Sequence, residues 1–524
     1  MVDIIERVGD NLFYDNGKSF NVVDLFGNDK NTLVSFDLTF TSSVVLKELT
    51  KNYEFVDNIK QIKTDYQWSI IESETTCYMI RTKHSSWVNL TSIMGLDQTQ
   101  EATLTSFNVK TVRELYEKSV KMGLTKLTIA GTAVNVFETF VNSGVLYVNS
   151  KPLHLLNKSN MDEWRGYSVC DIPALDMMGR PTYRGAITYG VPGLYNNMVH
   201  IDKRSMYPSM ASYYRMPYGL PHNVKESETD LCLVSPSGIL RLREGCFPTI
   251  GFSNPKMFRN HALSGRMGSL IEFLVLNDDI FFFEFEWELI LKMYEFDGVV
   301  ENKIYISTKE PTHLKDYFEN YYKAKQTLNK NSDEYVSVKK LLNALYGKFA
   351  IKTLRESISY SDGKRHKVKK QVEKLSYYNI LLASHITARA RCCLMDLAIT
   401  IGLEYVKYMD TDSIFFMKEA FKDRETMLKV CQICKKMGDW DLEHEGIELN
   451  VIGSKTYQIR DKEGIVTTKC AGLALENSLD IEWLGLYEGL QVDVIKRKRG
   501  RDMVLREETT KFTISSKPKL INPR

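Results

Sequence analysis

No run of eighteen apolar residues occurs anywhere in the 524-residue chain, and the first ten residues, Met1 to Asp10, lack an apolar core of signal-peptide length. No membrane contact is expected, and the setting read from the sequence is cytoplasmic. Surplus charge is also missing. With 69 basic and 66 acidic side chains the formal net charge is +3, so any affinity for a polyanion must come from local patches. Cysteine is sparse and unpatterned: 9 residues, an odd number without regular spacing, exclude a disulfide framework and fit a reducing compartment. The one C-x-x-C, Cys431 and Cys434, has no partner pair at zinc-finger spacing, because Cys392 and Cys393 are adjacent and Cys470 stands alone. Structural zinc is therefore not expected. Internal repeats and low-complexity tracts are absent as well.

What is present has the balance of a globular protein. Hydrophobic residues make up 43% and charged residues 26%, which argues against disorder, and 524 residues exceed what one simple core organises. Several α/β subdomains are expected. From Met1 to about Asn160, short β-branched runs such as Thr32 to Phe36 accompany helical patches such as Val112 to Met122, the pattern of a mixed α/β domain. Polar segments at Asn157 to Trp164 and Asp176 to Arg180 read as linkers and place a boundary near residue 165. Between Glu301 and Phe349, Tyr317, Phe318, Tyr321, Leu342, Leu345 and their neighbours recur at about one helical turn. That spacing predicts two long helices broken near Asn329 to Asp333. Ser361 to Lys374 carries Lys364, Arg365, Lys367, Lys369, Lys370 and Lys374 against two acids, as a solvated loop able to touch phosphates would. A second basic stretch, Lys496-Arg497-Lys498-Arg499-Gly500-Arg501, is either a grip on duplex backbone or a plain solvated turn.

Three segments point to a chemistry. In Ile201-Asp202-Lys203-Arg204-Ser205-Met206-Tyr207-Pro208-Ser209 an acid closes a β-type run and precedes a turn. In Tyr405-Val406-Lys407-Tyr408-Met409-Asp410-Thr411-Asp412-Ser413-Ile414-Phe415-Phe416 two β-prone runs flank an Asp-Thr-Asp turn, a hairpin with carboxylates at its tip. Each acid alone reads equally well as a turn residue. Brought together, Asp202, Asp410 and Asp412 would form a hard-oxygen cage for two divalent ions of the kind that drive phosphoryl transfer, whereas clustered without metal they would repel one another. In Lys339-Lys340-Leu341-Leu342-Asn343-Ala344-Leu345-Tyr346-Gly347, positions 339, 343 and 346 share one helical face. A cation, an amide and an aromatic ring on one stripe suit a nucleoside triphosphate: charge for phosphates, a flat ring for sugar and base.

These segments resemble motifs A, B and C of the family B DNA polymerases, patterned D-x-x-S-L-Y-P-S, K-x-x-x-N-S-x-Y-G and Y-x-D-T-D-S. This chain has D-K-R-S-M-Y-P-S, K-K-L-L-N-A-L-Y-G and Y-M-D-T-D-S, with Met206 for Leu and Ala344 for Ser. More narrowly, from roughly 165 to 515 it resembles the protein-primed polymerases of small tailed bacteriophages. Supporting matches are Tyr183-Arg184-Gly185-Ala186, Thr387-Ala388-Arg389-Ala390-Arg391, Lys455-Thr456-Tyr457 and Lys469-Cys470-Ala471-Gly472. The resemblance implies an α/β multidomain right-hand polymerase with palm, fingers and thumb, two terminal-protein-region insertions, and an N-terminal exonuclease-type domain of RNase H-like fold. It divides the chain into an N-terminal domain (1–164), linker and palm with motif A (165–223), first insertion and palm (224–305), fingers with motif B (306–349), second insertion (350–376), palm with motif C (377–445) and thumb (446–524). The long intervals from Asp202 to Lys339 and from Gly347 to Asp410 are what suggest the insertions.

By the same resemblance Asp202 and Asp412 ligate two Mg²⁺ ions, with Mn²⁺ as an alternative, and Asp410 completes the acidic cluster. Tyr207 packs beneath the sugar and excludes a 2′-hydroxyl. Lys339 meets the triphosphate, together with either Lys323 or Lys325, and Asn343 and Tyr346 shape the base-pair pocket. DNA contacts fall to Tyr183, Arg184, Gly185, Thr387, Arg391, Lys455, Tyr457 and Lys469. Expected partners are template and primer DNA, dNTPs and a terminal protein, for a monomer working in the cytoplasm of a phage's host. The nuclease motifs depart from the pattern: Phe36-Asp37-Leu38-Thr39 has Thr39 where an acid is needed, and Leu104-Thr105-Ser106-Phe107-Asn108 has an amide at Asn108. A degenerate, inactive nuclease domain is expected. Two other readings are an inert polymerase-fold factor that binds nucleic acid and a polymerase that starts without a terminal protein.

Overall fold

The computed structural model describes residues 2–8, 11–14, 32–36, 69–72, 78–81, 86–90, 94, 100–124, 126, 129–148, 151–154, 179–180, 182–249, 264–267, 270–277, 280–351, 354–355, 358–361, 364–367, 371–372, 377–470, 481–499 and 505–514. At its centre lies an antiparallel sheet of seven strands. In chain order they are β1 (Thr188–Gly190), β2 (Gly193–Lys203), β3 (Val406–Asp410), β4 (Ser413–Met417), β5 (Trp440–Gly453), β6 (Thr456–Arg460) and β7 (Val466–Cys470). Their order across the sheet is β7-β6-β5-β2-β4-β3-β1. The middle strands are apolar on both faces: Met198, Val199 and Ile201 on β2 and Ile414, Phe415 and Phe416 on β4 are all fully buried. Alternation sends Val199, Ile201, Ile414 and Phe416 into the main helical core, and Met198, Phe415 and Tyr408 into a smaller cluster with Ile447, Leu449 and Val451.

Helices cover the first face. α1 (Met206–Tyr213) follows β2 directly, α2 (Glu284–Met293) lies between strands of a second sheet, and α3 (Thr312–Thr327), α4 (Asp333–Lys348) and α5 (Ile380–Ile401) follow. Buried residues run round most of α5, so it is a core helix. The Asn379 side chain caps its start by accepting from the Leu382 N–H at 2.9 Å, and Gly402, at φ 101, closes its end. The break between α3 and α4 falls where the spacing predicts. Ser332 caps α4 by accepting from the Tyr335 N–H, with Asp333 and Glu334 in the first turn and Lys348 in the last, each matching the helix dipole. The helical region begins only at Thr312, however, because Glu301 to Ile306 complete the long strand Tyr294–Ile306.

That strand belongs to a five-stranded sheet with Leu231–Leu242, Ser264–Met267, Leu270–Asn277 and Phe282–Phe283. The basic segment expected as a loop is instead partly paired: Ile358–Ser361 meets Lys364–Lys367, and Leu354–Arg355 meets Gln371–Val372. Lys369, Lys370 and Lys374 lie outside the described residues. Lys496 to Arg499 likewise sit in a ladder, Gln491–Arg499 against Leu505–Thr513, while Gly500 and Arg501 lie outside the described residues. Near the N-terminus, Val2–Val8 pairs in parallel with Thr32–Ser35 and antiparallel with Asn11–Tyr14, and Ser86–Asn89 adds to Thr32–Ser35, giving the mixed α/β pattern with helices Val112–Lys121 and Ile129–Ser143.

The helix Ile129–Ser143 packs on α3 and α4. Phe137, fully buried, meets Tyr317 edge-on at 5.5 Å and Phe349 at 6.4 Å. Truncating it leaves a void at a joint between two parts of the chain. Phe137→Ala is expected to cost about 3–5 kcal/mol and to lower the urea midpoint of unfolding followed by circular dichroism.

Candidate active site

The hairpin of β3 and β4 turns at Thr411, whose φ of 58 admits the tight reversal, with Asp410 opposite Ser413. β2 runs alongside β4 with Asp202 opposite Ser413, and the Lys203 N–H donates to the Asp412 carbonyl at 2.7 Å. Sheet register therefore sets Asp202 beside Asp412, although more than two hundred positions separate them. Both carboxylates are partly buried and repel each other. Burial pushes the Asp202 carboxyl up to about 8, with Asp412 and Glu443 adding to the rise and Lys339 opposing it. Burial and the charge of Asp410 lift Asp412 to about 6. Among the described residues neither takes part in an ion pair.

Asp410 is held differently. The Lys455 ammonium donates to both of its oxygens, at 2.6 and 2.9 Å, and Thr188 and Thr411 hydroxyls donate at 3.1 and 2.9 Å. The three acids expected from the sequence are thus a pair plus a third member that is ion-paired with Lys455. No group of three or more His, Cys, Asp or Glu side chains is gathered to hold an ion among the described residues. The donor set of the pair nonetheless fits a divalent cation: hard oxygens, partly dehydrated and without an ion-pair partner among the described residues, whose ionised forms a bound cation would favour.

Cations and rings line the opposite wall. Tyr207 on α1 stacks on Tyr346 of α4 with ring centroids 4.2 Å apart and planes at 21°. Lys339 and Asn343, exposed on the same face of α4, continue the stripe toward the carboxylates, and Lys339 acts electrostatically on both Asp202 and Asp412. From α3, Lys325 reaches Ser205 Oγ at 3.4 Å over the Tyr322 ring, while Lys323 is exposed beside Glu319. Helical phase decides between the two lysines. Ser205, at φ 54, begins α1 in a left-handed conformation that turns the chain sharply after Asp202.

Of the residues read as DNA contacts, Lys455, Tyr457 and Lys469 lie together on the sheet. Lys455 occupies the tight turn between β5 and β6 at φ 57, and Tyr457 packs on Tyr408 and Phe415, opposite exposed Lys469 on β7. Tyr183 and Gly185 are half-buried. Arg184, Thr387 and Arg391 require a correction: they are 2%, 3% and 3% exposed, so none offers a surface to DNA. Both arginines pair with Glu286, at 2.6 Å each, and the Thr387 hydroxyl donates to the Ser384 carbonyl. Sequence reasoning missed Glu286, whose only signal is an acid set in the aromatic run Phe281 to Trp287. It also missed Arg204, which pairs with Asp441 opposite Asp202 in the sheet. In the N-terminal region, Asp37 and Thr39 lie outside the described residues. Asn108 ends the turn after helix Gln100–Ser106 at φ 51, a left-handed position that suits an amide.

A palm sheet bearing paired acids, flanked by helices that carry lysines and a tyrosine stack, defines a right-hand polymerase. The chain belongs to the type B DNA polymerases of organelles and viruses, whose family model matches residues 103–387, and its class of activity is DNA-directed DNA synthesis. Its fold is similar to that of the DNA polymerase of phage phi29. The phi29 complex with primer-template DNA and incoming nucleotide aligns at a TM-score of 0.71 and 15% identity, covering 95% of this chain and 94% of that one. The complex with single-stranded DNA gives the same values, and the post-translocation binary complex with primer-template DNA gives 0.69 and 15%, covering 96% and 94%. No curated protein sequence matches the chain. Among the described residues no helix is long and apolar enough to cross a membrane.

Burial and the neighbouring Lys339 and Arg204 draw the Lys325 ammonium from 10.5 down to about 8. The unfolded ammonium keeps its proton to about 10.5, so between these values the unfolded chain binds more protons and stability rises with pH. Charge at the site is lost over the same window. The KM for a dNTP is expected to rise as pH passes about 8 in steady-state incorporation assays, and Lys325→Met should flatten that profile.

Proposed function

We propose that the chain extends a DNA primer on a DNA template by metal-assisted nucleotidyl transfer, starts from a protein hydroxyl, and displaces the downstream strand. The observation that carries the transfer chemistry is the pair of partly buried carboxylates, Asp202 and Asp412, set side by side by strand register with no ion-pair partner among the described residues and facing Lys339 and Lys325. Such a pair holds divalent ions, Mg²⁺ or Mn²⁺, which when bound activate the primer hydroxyl and offset charge on the leaving pyrophosphate. Lys339 and Lys325 bind the triphosphate tail. Tyr207, fixed by its stack on Tyr346, lies under the sugar and leaves no room for a 2′-hydroxyl, and Asn343 and Tyr346 border the nascent base pair. Lys455, steered by Asp410, holds the primer terminus with Tyr457, and Lys469 adds charge along the same strand edge. Tyr183 and Gly185 face the template.

In this reading residues 165–223 and 377–445 form the palm, 306–349 the fingers and 446–524 the thumb. The insertions at 224–305 and 350–376 embrace a terminal protein and the downstream template. Solved relatives of the same fold hold primer-template DNA and incoming nucleotide, which supports the same ligands here. The N-terminal region, 1–164, guides single strands without cutting them, since an amide at Asn108 cannot supply a metal-binding charge.

Primer extension with Mg²⁺ tests the reading. Asp412→Ala is expected to lose at least about a thousandfold in rate while keeping its fold, and comparable rates for variant and parent would refute the metal assignment. On a primed circle without helicase, synthesis should continue through duplex DNA; arrest at the first duplex would remove strand displacement from the proposal. Labelled single-stranded DNA with Mg²⁺ should release no nucleotides, whereas release that Asp37→Ala stops would show a working nuclease.

A further inference from the structure

We propose that Glu286 is a positioning residue for the nucleotide pocket, acting from the inserted sheet through Arg391; the inference rests on the polymerase reading above. Glu286 lies on α2 and is 4% exposed. One carboxylate oxygen accepts from Arg391 Nε at 2.7 Å and the other from Arg184 Nη2 at 2.6 Å. Burial alone would push the carboxyl up, but the two guanidiniums outweigh it and hold it below the usual range. It therefore stays charged between two buried cations.

In each arginine Nη1 donates to backbone. Arg391 Nη1 donates to the carbonyls of Arg184, at 2.6 Å, and Gly185, at 3.2 Å, and Arg184 Nη1 donates to the Phe281 carbonyl at 3.2 Å. The segment that follows Tyr183 is thus pinned by a side chain that Glu286 orients. Arg391 also acts electrostatically on two phenols: burial raises both Tyr183 and Tyr207, and the charge of Arg391 pulls Tyr207 partly back and adds to the pull of Arg180 on Tyr183. Tyr207 is the ring stacked on Tyr346, so hydrogen bonds fix Arg391 from α2 and its charge then acts on the floor of the pocket. A second rivet lies alongside, with Arg389 on α5 over the Phe285 ring at 3.6 Å and over Tyr214 at 4.6 Å. Arg391, read from sequence as a DNA contact, works here with Arg389 as the seam that docks the insertion on the palm.

Without its charge, Glu286 leaves two guanidiniums facing each other in the interior, and Arg391 is released from the carbonyls of Arg184 and Gly185. Tyr183 and Tyr207 then lose their fixed positions, which weakens nucleotide binding and loosens discrimination against a 2′-hydroxyl before it touches the chemical step.

Single-nucleotide incorporation by the full chain on primed DNA, titrated with dNTP and with the matching ribonucleotide, tests this in Glu286→Gln, Glu286→Asp and Glu284→Gln. Glu284, on the same helix, pairs on the surface with Lys303 and serves as the control. Glu286→Gln is expected to raise the KM for dNTP about tenfold and to lower the dNTP-to-NTP preference, with kcat within about twofold of the parent and Glu284→Gln unchanged. A glutamate with only a structural role would reduce the active fraction and hence kcat at constant KM. That outcome, or a parent-like KM and sugar preference, overturns the proposal. Should Glu286→Gln not fold, Glu286→Asp, which keeps the charge on a shorter arm, decides by the same two readouts. A parent that incorporates no dNTP overturns the polymerase reading and this inference with it, whereas an active parent with indifferent variants overturns the inference alone.

Discussion

Two carboxylates forced side by side in a partly buried place are the constraint around which the rest of this molecule is organised. Ladder register on β2 and β4 gives Asp202 and Asp412 no freedom to move apart, and the apolar strands beneath them supply no compensating charge. Electrostatic cost of this kind persists only where surrounding packing over-determines it. Here the packing is α1, α4 and α5 on one face of the sheet and the cluster of Tyr408, Phe415 and Leu449 on the other. Around the pair the cations are graded. Lys455 sits directly on Asp410, Lys339 acts at longer range, and Lys325 is itself pushed toward neutrality by burial and by its fellow cations. The two walls face each other across one site, and the proposed triphosphate with its ions would relieve both sets of strain at once.

A second charge cluster shows the opposite balance. Arg184, Glu286 and Arg391 are closed to solvent and paired with one another and with carbonyl oxygens, so most of their cost is met inside the fold. The open cluster leaves its carboxylates without an ion pair, and the closed one joins the helix of the second sheet to α5. Their difference lies in burial and in available partners, since the residue types are much the same.

Much of the site was readable from residue order. Asp202 at the end of a β-prone run, the Asp-Thr-Asp turn and the Lys339, Asn343, Tyr346 stripe all follow from local periodicity, and the structure bears out the strand, the hairpin and the helix. Lys323 and Lys325 could not be separated, because the choice depends on the phase at which α3 meets α1. Arg184 and Arg391 were misread for a related reason. An arginine in a basic or polar context looks solvent-facing until its partner is known, and Glu286 lies about a hundred positions from each. Asp410 was read as completing the acidic cluster beside Asp202 and Asp412, and residue order gave no means of foreseeing that the left-handed turn at Lys455 would deliver an ammonium to it.

By itself the sequence determined the family, the three chemical segments and the secondary structure that carries them, because each of these depends on contacts or periodicities spanning a dozen residues or fewer. Only the tertiary structure decided which carboxylates face each other, which lysine reaches the pocket, and which arginines are structural. Those outcomes are set by strand register and helix packing between segments far apart in the chain, where burial, and not residue type, decides whether a charge meets solvent, a ligand or another side chain.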